Sequence, residues 1–215
     1  MTTSSLRLAA LVSGSGSNLQ SIIDVINLGF LDAKVVQVIA SKDGIPAEAR
    51  ALANSIPYKV VARSIYGSDV HAMSAAITEL LSPLSIDLIL LCGYRSFIGE
   101  SLLRAYSGRI MNIHPSLLPA FGGKGLYGRR VHQAVLDYGV RVSGCTVMFV
   151  DAGEDSGPII LQKAVPVEDD DTPETLAARV MEAETKVYPE AVSLFAAGRL
   201  KIEGRKVIIT KGCLQ

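Results

Sequence analysis

The sequence predicts a Rossmann-like α/β fold: a wound, mostly parallel sheet with helices on both faces and an antiparallel C-terminal extension. Three observations lead there. Apolar strand-like runs alternate with helical patterns through the first half of the chain. One of those runs, Ile86–Cys92, is almost wholly apolar, as strands covered on both faces are. A glycine- and serine-rich loop, Ser13-Gly14-Ser15-Gly16-Ser17-Asn18, directly follows the first apolar run, where open α/β sheets bind ligands.

Leu6–Val12 reads as the first strand and Leu19–Leu28 as the helix after it. The strand Val35–Ala40, the helix Pro46–Asn54 and the strand Tyr58–Val61 follow. A longer helix is expected over Ser68–Leu81, ahead of the strand Ile86–Cys92. A short helix, Phe97–Tyr106, then leads to the strand Arg109–Ile113. Past the Gly-rich stretch Phe121–Gly125, a helix is expected over Arg129–Tyr138. Thr146–Val150 and Ile159–Val167 read as a hairpin-type extension of the sheet, joined by the acidic loop Asp151–Gly157. The run Asp169–Glu174 combines a hydroxyl N-cap, a proline at the first helical position and acids near the positive end of the dipole. The helix it starts should reach Ala197, bend at Tyr188-Pro189 and close at Gly198. Short strands at Leu200–Ile202 and Val207–Thr210 end the chain. With no repeat and no long linker, residues 1–215 read as one domain, with a first half at 1–110 and a second at 111–215.

At 215 residues and 49% hydrophobic content the chain can fill one core. Lys+Arg and Asp+Glu both total 21, so no basic footprint argues for nucleic acid, and any anion must be gripped locally. Cys92, Cys145 and Cys213 show neither metal spacing nor a disulfide framework, which points to a reducing cytoplasm. Leu6–Val12 lacks the basic flank of a signal peptide, and no apolar run has the length of a membrane helix.

The strongest chemical motif is Asn112-Ile113-His114-Pro115-Ser116-Leu117-Leu118-Pro119. Residues i and i+2 of a strand share a face, so Asn112 and His114 project together, and the prolines fix the chain that leaves. An amide beside an imidazole suits acyl-type transfer, in which charge grows on a carbonyl oxygen while protons move. An isolated Asn-x-His pair is commonly no more than a turn, so the other loops decide. The loop at Ser13–Asn18 lacks the third glycine of a dinucleotide fingerprint, because position 19 is Leu, and no Walker loop is present. Its glycines and the following helix N-terminus suit a single phosphate monoester, with Ser15, Ser17 and Asn18 adding hydrogen bonds. A carboxylate to orient the histidine should come from the acidic loop, where spacing leaves Asp151, Glu154 and Asp155 open.

Three segments in this order resemble one family. Ser13–Gln20, Asn112–Pro119 and Asp155-Ser156-Gly157-Pro158-Ile159-Ile160-Leu161-Gln162 are similar to the folate-dependent glycinamide ribonucleotide formyltransferases of purine biosynthesis, over about Leu6 to Leu200. The resemblance implies the formyltransferase fold and transfer of the formyl group of 10-formyltetrahydrofolate, a consumed co-substrate, to the amine of 5-phosphoribosylglycinamide. It implies that Asn112 bonds the formyl oxygen, that His114 donates a proton, and that Asp155 keeps His114 protonated, directly or through ordered water. Ser15, Gly16, Ser17 and Asn18 would hold the substrate phosphate, and Glu184 its sugar. Arg95, Ser96, Phe97 and Ile98, with Asn112, Val150 and Asp151, would bind the folate. The first half would then bind phosphate and the second carry catalysis and folate. No metal, nucleic acid or membrane is implied, and a homodimer is left open.

Three positions depart from the family pattern. Met148 replaces a common histidine, Asp69 stands where some members place an arginine toward the folate tail, and Gly122–Gly125 replaces a proline-glycine turn. That last segment reads either as a moving lid or as a plain surface turn. The rival readings are a 10-formyltetrahydrofolate hydrolase, whose extra domain has no room before residue 6, and a methionyl-tRNA formyltransferase, whose C-terminal domain this neutral chain does not reach. A non-catalytic nucleotide-binding module is a third, though a mere binder has no need of Asn112, His114 and Asp155.

Overall fold

The computed structural model describes residues 5–67 and 69–211, so Ser68 and Cys213 lie outside the described residues. The chain divides into two compact units, Met1–Met111 and Asn112–Gln215.

The first unit holds β1 (Leu6–Val12), α1 (Ser17–Asn27), β2 (Ala33–Ala40), α2 (Ala47–Ala53), β3 (Tyr58–Val60), α3 (Arg63–Tyr66), α4 (Val70–Leu81), β4 (Leu88–Cys92) and α5 (Glu100–Ala105). Its strands run in the order β3-β2-β1-β4, each pair parallel. Every residue of β4 is buried, as its apolar run requires. Leu8 and Leu11 of β1, Ile39 of β2, and Leu19 and Ile22 of α1 are likewise closed to solvent and form the core. This arrangement leaves the loops after β1, β2 and β4 at the carboxyl ends of the strands. Ser13 ties them together: its Oγ lies 2.6 Å from Ser41 Oγ and accepts from Arg95 N–H at 2.9 Å.

β5 (Ile110–His114) carries the chain from the first unit into the second. The second unit continues with α6 (Arg129–Tyr138), β6 (Val142–Phe149), β7 (Ile159–Pro166), α7 (Pro173–Ala196), β8 (Leu200–Glu203) and β9 (Lys206–Ile209). Its strand order is β5-β6-β7-β9-β8. β6 and β7 are antiparallel, as are β8 and β9, while β7 meets β9 in parallel. α7 packs on β6, β7 and α6. Thr172 caps α7 in a reciprocal pair with Thr175.

The α/β class, the parallel first half and the antiparallel extension agree with the sequence reading. The boundaries differ where a local contact overrides the pattern. α1 begins at Ser17 because Gly16, at φ 72°, turns the chain into the helix two residues early. α4 begins at Val70, since the Asp69 carboxylate accepts from the His71 and Ala72 N–H groups. α5 starts at Glu100 and not Phe97: Gly99 is extended, its N–H donates to Ser74 Oγ at 2.7 Å, and a Cβ there would lie 2.9 Å from that oxygen. β6 extends back to Val142 through Gly144, where the Lys163 carbonyl comes within 2.0 Å of any added Cβ. α3 is a single turn with no apolar periodicity to mark it in the sequence. Asp69→Ala should lower stability by about 0.5–2 kcal/mol through the lost cap, read as a shift of the denaturation midpoint.

Candidate active site

β5 ends at His114, whose ring is buried, and the turn after it is fixed by the neighbouring strands. Thr146 of β6 donates its hydroxyl to the Ser116 carbonyl at 2.7 Å and accepts from Leu118 N–H at 3.0 Å. Gln162 of β7 donates to the Leu118 carbonyl and to Thr146 Oγ1, at 2.9 and 3.0 Å. Ser116 Oγ closes the turn on the Ala120 carbonyl. Thr146 stands in no motif, and Gln162 only ends the segment Asp155–Gln162, which gives it no role of its own. Thr146 is a polar residue closed to solvent in an apolar strand, whereas Gln162 lies exposed on β7.

Of the three acids left open by spacing, the structure selects Asp155. Its Oδ2 lies 3.3 Å from His114 Nδ1, with side-chain exposures of 13% and 5%, so the pair is largely desolvated. Asp151 instead holds its own loop, accepting from Gly153 N–H and Ser156 Oγ–H, and Glu154 is exposed. Asp155 sits at φ 51°, a conformation that Asp tolerates better than most residues. Its Oδ2 also accepts from Gly123 N–H at 3.0 Å.

The other imidazole nitrogen, Nε2, lies 2.9 Å from the Phe121 carbonyl. Both ring nitrogens therefore face an oxygen. Phe121 takes φ 55° and packs its ring edge-on against Tyr138. The segment 121–123 thus closes over the His114–Asp155 pair. Gly122 fits there because a Cβ would come within 2.3 Å of Leu118 and 3.4 Å of Asp155.

Asn112 precedes His114 by two residues in β5, on the same face of the strand. It is half-buried and its side chain makes no hydrogen bond among the described residues. An uncommitted amide beside an anchored imidazole can receive a growing oxyanion without breaking another contact.

A second histidine escaped the sequence reading. His132 of α6 is buried, and its Nδ1 has no hydrogen-bond partner among the described residues. Burial first, and the charge of nearby His114 second, hold His132 below the ordinary histidine range. Glu184 is buried on α7, near enough to Cys145 to act on it: burial and then that carboxylate push the thiol up to about 12. Met148 is buried in β6 opposite Ile159.

Val150 and Asp151 open the loop that delivers Asp155, and Gly157 closes it. A Cβ at Gly157 would fall 1.8 Å from the Phe149 carbonyl, so that glycine lets the loop fold flat on its own strand. Gly157→Ala should open the loop, cost roughly 1–3 kcal/mol as overpacking does, and displace Asp155. A melting temperature equal to that of the unaltered chain would contradict this packing.

In the first unit, the glycine loop leads into an α1 whose N-terminus has no side-chain cap and no acid in its first turn. Ser15 and Ser17 hydroxyls lie 3.0 Å apart, and Asn18 is buried. Such a terminus offers free N–H groups and partial positive charge to an anion. In the segment after β4, Arg95 is exposed, with Nη2 3.9 Å from where a Gly14 Cβ would stand. Ser96 is half-buried, Phe97 exposes 48% of its surface and Ile98 is buried. Asp69 serves α4 as a cap. Among the described residues no group of three His, Cys, Asp or Glu side chains is placed to hold a metal, and no helix is long and apolar enough to cross a membrane.

Comparison with known proteins adds the following. Residues 6–192 match the formyl transferase family. The chain is 41% identical over 196 residues to the trifunctional purine biosynthetic protein adenosine-3 of Bos taurus, covering 91% of this chain but 19% of that one. It is 36% identical to the phosphoribosylglycinamide formyltransferase of Haemophilus influenzae, covering 92% of this chain and 90% of the relative. The crystal structure of glycinamide ribonucleotide transformylase 1 from Symbiobacterium toebii superposes with a TM-score of 0.90 at 43% identity, covering 96% and 94% of the two chains. A formyltetrahydrofolate deformylase from Pseudomonas syringae shares the fold, with a TM-score of 0.86 at 22% identity and 96% and 66% coverage.

Proposed function

The chain belongs to the formyl transferase family, and on that premise we propose that it transfers the formyl group of 10-formyltetrahydrofolate to the amine of 5-phosphoribosylglycinamide. The observation that carries the reading is the buried His114–Asp155 pair, 3.3 Å apart, beside the uncommitted Asn112 amide.

The acceptor amine adds to the formyl carbon, the folate nitrogen leaves, and the proton lost by the amine must be matched by one gained at the leaving nitrogen. Asn112 donates its amide N–H to the formyl oxygen as negative charge grows there. Removing one such donor typically costs about 2.7–4 kcal/mol of barrier. Asp155 holds the His114 ring in place and stabilises its positive charge. His114 supplies the proton as the intermediate collapses, exchanging the Phe121 carbonyl for the substrate as its acceptor at Nε2. Glu184 contacts the substrate sugar.

Ser15, Gly16, Ser17 and Asn18 of the first unit take the phosphate, on the uncapped start of α1. For the folate, the first unit offers Arg95, Ser96, Ile98 and the open ring of Phe97, a flat apolar surface suited to a pterin. The second offers Asn112, Val150 and Asp151. The formyl chemistry belongs to the co-substrate, and the protein supplies orientation and charge. Cys92 and Cys145, both buried and neither in a disulfide, fit a reducing cytoplasm.

The test is turnover of 10-formyltetrahydrofolate by the purified protein with and without 5-phosphoribosylglycinamide. The proposal expects folate release only with the amine present and formylglycinamide ribonucleotide as product. Release that ignores the amine would favour a hydrolase.

A further inference from the structure

Arg50 lies outside every motif of the sequence, yet it is built into the glycine loop. It sits half-buried on α2. Its Nε donates to the Ser15 carbonyl at 2.8 Å and its Nη1 to Gln20 Oε1, on α1, at 3.2 Å. A Cβ at Gly16 would meet the Arg50 Cδ at 3.3 Å and the Ala47 Cβ at 2.9 Å. Ala47 N–H also donates to the Gly14 carbonyl at 3.2 Å. The arginine stem and the start of α2 therefore pack directly on the loop, and the guanidinium clamps the loop backbone to the first turn of α1.

Two features make this more than a brace. Both acceptors are neutral, and among the described residues Arg50 forms no ion pair; Asp24 is reached only through Gln20. Arg179, Arg129 and Arg141, by contrast, are each paired with a carboxylate. A half-buried arginine without a counter-charge leaves a net positive charge beside the loop. The clamp also fixes direction. With the Ser15 carbonyl drawn toward Arg50 and Gly16 left-handed, the loop takes the left-handed-then-helical form in which successive N–H groups make an anion-binding concavity.

Resting on the reading that this loop takes the substrate phosphate, we propose that Arg50 is the positioning residue of that phosphate site. It holds Ser15 and Gly16 in their anion-facing conformation and supplies the charge that favours a phosphate monoester over the unphosphorylated acceptor.

The experiment compares the full chain with Arg50→Met, which keeps the stem, and Arg50→Lys, which keeps the charge. Three readouts are taken: kinetics with 5-phosphoribosylglycinamide, kinetics with the unphosphorylated ribosylglycinamide, and binding of inorganic phosphate by calorimetry. R50M should raise KM for the phosphorylated acceptor about tenfold or more, as loss of a charged hydrogen-bond donor does. Its kcat should stay within about twofold, its folate KM and its kinetics with the unphosphorylated acceptor should not change, and its phosphate affinity should fall by the same factor as KM. R50K should recover part of the loss. Equal effects on both acceptors, a fall in kcat alone, or unchanged phosphate affinity in either folded variant would overturn the proposal. If the unaltered chain binds inorganic phosphate in an Arg50-dependent way but transfers no formyl group, the formyl-transfer reading fails while this role for Arg50 stands.

Discussion

His114→Ala is expected to lower kcat for formyl transfer by about 10²- to 10⁴-fold, the range that a positioned proton donor contributes. The ring is the one titratable group placed beside Asn112 on the same strand face, and alanine leaves neither nitrogen to donate. The glycine loop, proposed to take the phosphate, belongs to the other unit and keeps its own bonds, so affinity for 5-phosphoribosylglycinamide should change little. Loss of the ring also frees Asp155 Oδ2 and the Phe121 carbonyl, so some loss of stability accompanies the loss of rate. Steady-state kinetics with equilibrium binding of the acceptor checks both halves of the expectation. Turnover within about threefold of the unaltered chain, well below that catalytic range, would remove His114 from the mechanism.

Asp155→Asn should produce the second largest loss, on the order of 10²-fold in kcat. Asparagine is the informative replacement because it has nearly the same shape and also tolerates the left-handed backbone at φ 51°. It can still accept from Gly123 N–H, but it no longer brings a negative charge to His114 Nδ1. The fall should therefore appear in kcat, with the phosphorylated acceptor's affinity and the melting temperature little changed. A variant that melts early and also loses acceptor binding would mean that the carboxylate chiefly holds the loop.

The sequence is most legible where chemistry and backbone constraint coincide. Asn112, His114 and the prolines beyond them announce a rigid strand end, and the structure has β5 stop at His114. The start of α7 is also readable, since Thr172 and Pro173 can do little else in that order. The carboxylate is less so: Asp151, Glu154 and Asp155 are chemically alike, and their roles are separated by loop folding. Gly157 lies against the Phe149 carbonyl, Asp151 is spent on Gly153 and Ser156, and only Asp155 is left to reach the imidazole.

Supports made by distant residues left still fainter traces. Thr146 and Gln162 grip the proline turn from two other strands, and Arg50 grips the glycine loop from a helix more than thirty residues away. Each is an ordinary polar residue until the fold supplies its partner. Phe121 was legible only as part of a Gly-rich stretch, because its role is played by a backbone carbonyl, which every residue has. Asp69 shows the converse: a charge with a suggestive place in a family pattern serves here as a helix cap.

Whether one desolvated imidazole–carboxylate couple drives the chemistry can be decided by comparing kcat for the two single variants with that of H114A/D155N. If the pair works as a unit, removing the carboxylate from a chain already lacking the ring should cost nothing more, and the double variant should match H114A within about threefold. Two losses that multiply, each in full, would show the side chains acting separately and contradict the mechanism.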